Sequence, residues 1–100
     1  MKAKVFLLVI IAISVLALQV SASDRFQIVV HEKNGNYAND AYVEVWDGGT
    51  LIDSGNTDNS GIFYTWLERS ISYRITAKGN GQNGETESFP KSDEIHIYME

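Results

Sequence analysis

The sequence predicts an all-β protein, a single seven-stranded antiparallel β-sandwich preceded by a signal peptide. Three observations carry that expectation. Short stretches of alternating apolar and polar residues recur from Arg25 to Met99. Residues that favour turns separate them, most distinctly in Thr57-Asp58-Asn59-Ser60-Gly61. No helical periodicity follows the first 22 residues.

The N-terminus reads as a leader. Met1-Lys2-Ala3-Lys4 is a short basic region, Val5 to Leu18 is an almost unbroken apolar run, and Val20-Ser21-Ala22 places small residues at a cleavage site. The apolar run is short for a membrane-spanning helix, which needs about 20 residues; an uncleaved anchor is the alternative. The expected organisation is a signal peptide over 1–22 and a β-sandwich over 23–100, with a secreted or cell-surface location. Lys2 and Lys4 leave with the leader, so the remaining domain has six basic against thirteen acidic residues, six minus thirteen or −7. Such a domain repels nucleic acid and anionic membranes, and neither is an expected partner.

There are no cysteines. Disulfides, thiolate metal sites, a catalytic cysteine and a lipid-modified cysteine anchor are therefore all excluded. The core alone must hold the fold.

The strands follow in order. Arg25 to Glu32 alternates around Phe26, Ile28 and Val30. Asn34-Gly35-Asn36 ends it. Ala41 to Asp47 places Ala41, Val43 and Val45 on one face and Tyr42, Glu44 and Trp46 on the other. Asp47-Gly48-Gly49 reads as a hairpin turn into Thr50–Asp53, and Gly55 to Gly61 as a polar, turn-rich connection. Gly61 to Leu67 returns as a strand with Phe63, Thr65 and Leu67 inward. Ser72 to Lys78 carries Tyr73, Ile75 and Ala77 on one side. Gly79 to Gly84 has no apolar residue and reads as a flexible loop. Glu85 to Phe89 is a weak strand beside Pro90, placed at an edge. Ile95, Ile97 and Met99 alternate to make the last.

The order of Ala41-Tyr42-Val43-Glu44-Val45, Thr57-Asp58-Asn59-Ser60-Gly61-Ile62-Phe63, Leu67 and Tyr73-Arg74-Ile75-Thr76-Ala77 resembles the carboxypeptidase regulatory-like domains, a transthyretin-like group of Ig-like β-sandwiches. The chain departs from the family where Tyr37-Ala38-Asn39-Asp40 stands in place of a Pro and Gly before the Ala41 strand. It departs again at Ile71-Ser72, where a Gly commonly precedes the Tyr73 strand. The resemblance implies an accessory structural or binding module with no catalytic residues of its own.

Candidate sites are few. Asp47, Asp53 and Asp58 are hard oxygen donors on or beside turns, and weak candidates for Ca²⁺. Asn56-x-Asp58-x-Ser60-Gly61 imitates the start of an EF-hand loop, but Asn56 stands at the first position and Leu67 where a bidentate Glu belongs. Hydrogen bonding within turns explains these residues equally well. With the alanine, valine and phenylalanine faces inward, Tyr42, Trp46, Tyr64 and Trp66 point outward, joined by His96 and Tyr98 on the last strand. Exposed rings suit a protein partner or sugar stacking, or they stabilise the outer sheet surfaces as cross-strand pairs. His31 and His96 lie on the first and last strands and could meet if these pair. No serine sits in a nucleophile motif, and no cofactor is expected. The expected role is a secreted, non-catalytic module that binds protein or self-associates. A carbohydrate-binding module and a filament subunit using edge strands near Arg25–Glu32 or Asp93–Met99 are the alternatives.

Overall fold

A computed structural model describes residues 23–100. The predicted leader, 1–22, lies outside the described residues. Seven strands follow one another: β1 (Ser23–His31), β2 (Tyr42–Asp47), β3 (Thr50–Asn56), β4 (Ile62–Glu68), β5 (Tyr73–Gly79), β6 (Gln82–Ser88) and β7 (Glu94–Tyr98). They form a three-stranded sheet in the order β4-β1-β7 and a four-stranded sheet in the order β3-β2-β5-β6. The two pack face to face as a sandwich.

Period-2 alternation explains the packing. Phe26, Ile28 and Val30 of β1, Thr65 and Leu67 of β4 and Ile97 of β7 are buried from one sheet. Val43 and Val45 of β2 and Tyr73, Ile75 and Ala77 of β5 meet them from the other, while Phe63 and Ile95 fill in from the margins. Each large side chain in this layer contributes about 1.5–3 kcal/mol.

The pairing differs from the expected antiparallel sandwich at one seam. β1 and β7 run parallel, from Gln27↔Glu94 to His31↔Tyr98. The cause is the return path: Phe89–Asp93, with Pro90 buried, carries the chain across from β6 and delivers it near the start of β1. There Gln27 N–H donates to the Asp93 carbonyl at 2.8 Å. β1 is therefore central in its sheet, not the edge strand that filament assembly through Arg25–Glu32 requires.

A second correction concerns Gly79 to Gly84. The stretch is a tight hairpin rather than a flexible loop, because Asn80 and Gly81 both adopt positive φ (50° and 74°), the geometry of a two-residue type I′ turn. β6 starts directly after it and pairs in register with β5, from Gly79↔Gln82 to Tyr73↔Ser88. β3 is also longer than expected. It absorbs Gly55 and Asn56 and holds an extra residue, Ile52, where Val45↔Asp53 is followed by Trp46↔Leu51.

The Thr57–Gly61 turn is the best-specified connection. Asp58 Oδ1 accepts from the amides of Ser60 and Ile62 at 2.9 and 3.0 Å. Buried Thr57 does more than the sequence suggested: its hydroxyl accepts from Ala41 N–H at 2.9 Å and donates to the Ala38 carbonyl. That ties the arch before β2 to the turn before β4. Gly61 has φ 75°, and a Cβ there would stand 2.9 Å from the Val30 carbonyl oxygen. Both demands are met only by glycine.

Candidate functional site

Alternation that buries one set of residues exposes its neighbours, and the sheet order decides where they go. Tyr64 and Trp66 are on β4, in the three-stranded sheet; Tyr42 and Trp46 are on β2, in the four-stranded sheet. All four turn away from the core, but onto opposite outer surfaces of the sandwich. They do not make one aromatic face.

The outer surface of the three-stranded sheet carries the larger cluster. Register places Arg25 beside Trp66 and Gln27 beside Tyr64. It also sets His96 next to Val29 and Tyr98 next to His31. Trp66 is 65% exposed, and the Arg25 guanidinium sits 4.1 Å from the centre of the Tyr64 ring. At the far end of the sheet, His31 Nε2 meets His96 Nδ1 at 2.8 Å. Tyr98 stacks on His31 with centroids 4.4 Å apart, and Tyr37 tilts against it at 5.1 Å. Glu94 Oε1 lies 3.3 Å from His96 Nε2. Partial burial holds His31 below its ordinary pKa of 6.5, the neighbouring His96 charge adds to that, and a hydrogen bond to the Gly35 backbone opposes both.

The histidine geometry decides what the pair can hold. The ring centroids are 5.1 Å apart while the facing nitrogens are 2.8 Å apart, so the nitrogens point nearly head-on. Two nitrogens bound to one tetrahedral zinc ion at about 2.0 Å each stand about 3.3 Å apart, and each ring must turn its nitrogen toward the metal rather than toward the other nitrogen. The observed spacing suits an N–H···N hydrogen bond.

The outer surface of the four-stranded sheet is different in kind. Trp46 is half-buried, with the Arg74 guanidinium 5.4 Å over its ring. Arg74 also approaches Glu85 at 3.5 Å. Glu44, Thr76, Lys78 and Asn83 complete a shallow polar concavity of about 580 Å³ around them. Tyr42 stands at its margin beside Lys78.

The three weak Ca²⁺ candidates are not brought together. Asp47 ends β2, whereas Asp58 follows β3 at its far end, so a seven-residue strand of about 24 Å separates them. Asp53, in mid-strand, accepts from the Thr65 hydroxyl at 2.7 Å and from Ser54 N–H at 2.9 Å. Among the described residues no group of three His, Asp or Glu side chains is placed to hold a metal.

The His31–His96 contact depends on long-range pairing of the first and last strands. The placement of the two histidines on those strands was its signal in the sequence. No protein-family model and no curated protein matches this chain.

Proposed function

We propose that this protein is a secreted, non-catalytic β-sandwich module that works by binding protein through the outer surface of its three-stranded sheet. One observation carries the reading: Trp66, Tyr64, Tyr98 and Tyr37 are all exposed around that sheet, with Arg25 and the histidine pair among them. Aromatic residues and arginine are the side chains that dominate binding energy at protein interfaces. The domain is of carboxypeptidase regulatory-like type. Asp40, directly before the Ala41 strand where that family often has Gly, has φ 58°, a left-handed conformation that glycine adopts without strain.

The test is retention of labelled protein on the outer surface of the cells that make it. Wild type and Tyr42→Ala are expected to be retained alike, and Trp66→Ala to be lost from the surface while keeping its circular dichroism spectrum. Equal retention of all three would remove the three-stranded sheet from the binding role.

The polar concavity over Trp46 favours a second reading, a carbohydrate-binding module with Trp46 as the stacking ring and Glu44, Arg74 and Glu85 as hydrogen-bonding groups. Retarded migration in polysaccharide gels that Trp46→Ala abolishes and Trp66→Ala leaves intact would establish it.

A further inference from the structure

We infer that the free edge of β4 is a docking strand for a second copy of this chain, paired antiparallel about a two-fold axis at Thr65. The inference rests on the proposed protein-binding role and names the partner.

The hydrogen-bonding parity of the sheet leads to it. In β1, Gln27 N–H reaches the Asp93 carbonyl and the His31 carbonyl receives Met99 N–H, so the main-chain groups of odd-numbered residues serve β7. Val30 N–H goes to the Gly61 carbonyl, so those of even-numbered residues serve β4. Through the register Phe26↔Thr65 and Ile28↔Phe63, residues 63, 65 and 67 direct their main-chain groups to β1. Ile62, Tyr64, Trp66 and Glu68 direct theirs away from the sheet.

Both ends of that outward row are already satisfied. Ile62 N–H donates to Asp58 Oδ1, and its carbonyl accepts from Asp58 N–H at 3.0 Å. Glu68 N–H donates to the buried Tyr73 hydroxyl at 2.9 Å, and its carbonyl accepts from Ile71 N–H. In the middle, the amides and carbonyls of Tyr64 and Trp66 have no partner among the described residues. A second copy supplies the complement. With Thr65 opposite Thr65, Tyr64 of each copy exchanges two hydrogen bonds with Trp66 of the other, and all four unpaired groups on each chain are used. The same register sets Tyr64 and Trp66 rings side by side across the seam, on the outer surface.

The other edges are defended. β3 carries the extra residue Ile52 and the charge of Asp53. β6 bears Glu85 and Glu87, and Asn83 exchanges backbone hydrogen bonds with Glu100. On β7 the outward Glu94 carbonyl accepts from the Ser92 hydroxyl at 2.8 Å, and β6 crowds the Tyr98 carbonyl oxygen, which a Cβ on Gly84 would approach to 3.1 Å. β4 has no proline, glycine, lysine or irregularity. Its one charge, Glu68, falls opposite Ile62 of the copy, so no like charges face each other across the strands even though each domain is acidic.

The absence of cysteine permits a register-specific test. Tyr64→Cys and Trp66→Cys are made separately. Directly paired positions lie about 5.5 Å apart between Cα atoms, within disulfide range. Equivalent positions of the two copies are diagonal neighbours at about 7–8 Å. Under mild oxidation the mixture of the two variants is expected to give a disulfide-linked dimer, and either variant alone to form no disulfide cross-link. Analytical ultracentrifugation is expected to show concentration-dependent dimers of the wild type. Tyr64→Lys/Trp66→Lys should associate at least about tenfold more weakly with an unchanged circular dichroism spectrum. A wild type that is monomeric throughout, or a mixture that cross-links no better than the single variants, overturns the inference. If cell-surface retention still depends on Trp66 in that case, the binding role stands and only the partner assignment falls.

Discussion

On the three-stranded sheet Trp66 stands open to solvent, whereas on the four-stranded sheet Trp46 is half-buried beneath Arg74. The two tryptophans come from the same local pattern, an outward ring directly after a buried inward residue, Val45 for one and Thr65 for the other. Their neighbours separate them. Trp46 has β5 on one side and β3 on the other, which supply Arg74 and Leu51. Trp66 belongs to an edge strand and has only Arg25 on its single flank. For the two tryptophans the difference follows the number of strands beside the ring, and a ring on an open edge lies next to backbone groups that can take a partner.

The largest expected effect marks the boundary between inside and outside on one strand. Leu67→Ala removes a fully buried side chain and is expected to cost about 2–5 kcal/mol in chemical denaturation. Trp66→Ala, one residue earlier, should stay within about 0.5 kcal/mol of wild type. Comparable losses would mean that Trp66 packs as core. Next comes the turn that leads into β4: Gly61→Ala imposes a left-handed conformation and a backbone clash, and should cost more than about 2 kcal/mol. A smaller loss would show that the turn relaxes. Trp46→Ala should cost about 1 kcal/mol, more than Trp66→Ala, because it also removes the stacked guanidinium contact. Equal melting temperatures for the two would erase the contrast between the faces.

The smallest effect is a pH dependence confined to the three-stranded face. His31 has its folded-state pKa below 6.5, so the unfolded chain takes up its proton first. The contribution is fully present above about pH 6.5 and is lost as pH falls through that value toward the lowered folded pKa. The groups facing His31 are His96, Glu94 and Tyr98 on β7 and Tyr37 from the loop after β1. A thermal melt series is expected to show a modest decline in Tm below pH 6.5 that His31→Gln flattens; an unaltered slope in the variant would assign the decline to other groups. The effect is small because the pair is largely solvated.

Legibility in the sequence followed the reach of each signal. Residues 41–47, 62–67 and 73–78 alternate strictly, and their inward and outward sets could be read directly. β6 was nearly invisible because Gln82–Ser88 has no large apolar residue to mark a face, and the informative signal was the Asn80-Gly81 turn before it. Alternation also says that Tyr42 and Tyr64 both point outward without saying from which sheet. That depends on β1, β4 and β7 forming one layer and β2 the other, a pairing between distant segments. The parallel seam of β1 with β7 is hidden for the same reason. The role of Thr57 escaped notice because a threonine in a turn resembles many others until its hydroxyl is seen between Ala38 and Ala41.

The parallel seam has a mechanical consequence. Because β1 and β7 run in the same direction, the chain enters the sandwich at Ser23 at one pole and leaves past Tyr98 at the other. Tension applied between Ser23 and Glu100 therefore acts along both strands and loads the Gln27–His31 ladder in shear, so its hydrogen bonds must fail together. A hairpin pulled from its open end would instead unzip one bond at a time. Single-molecule extension should register a force peak that weakens when the seam is disrupted at Val29 or Ile97.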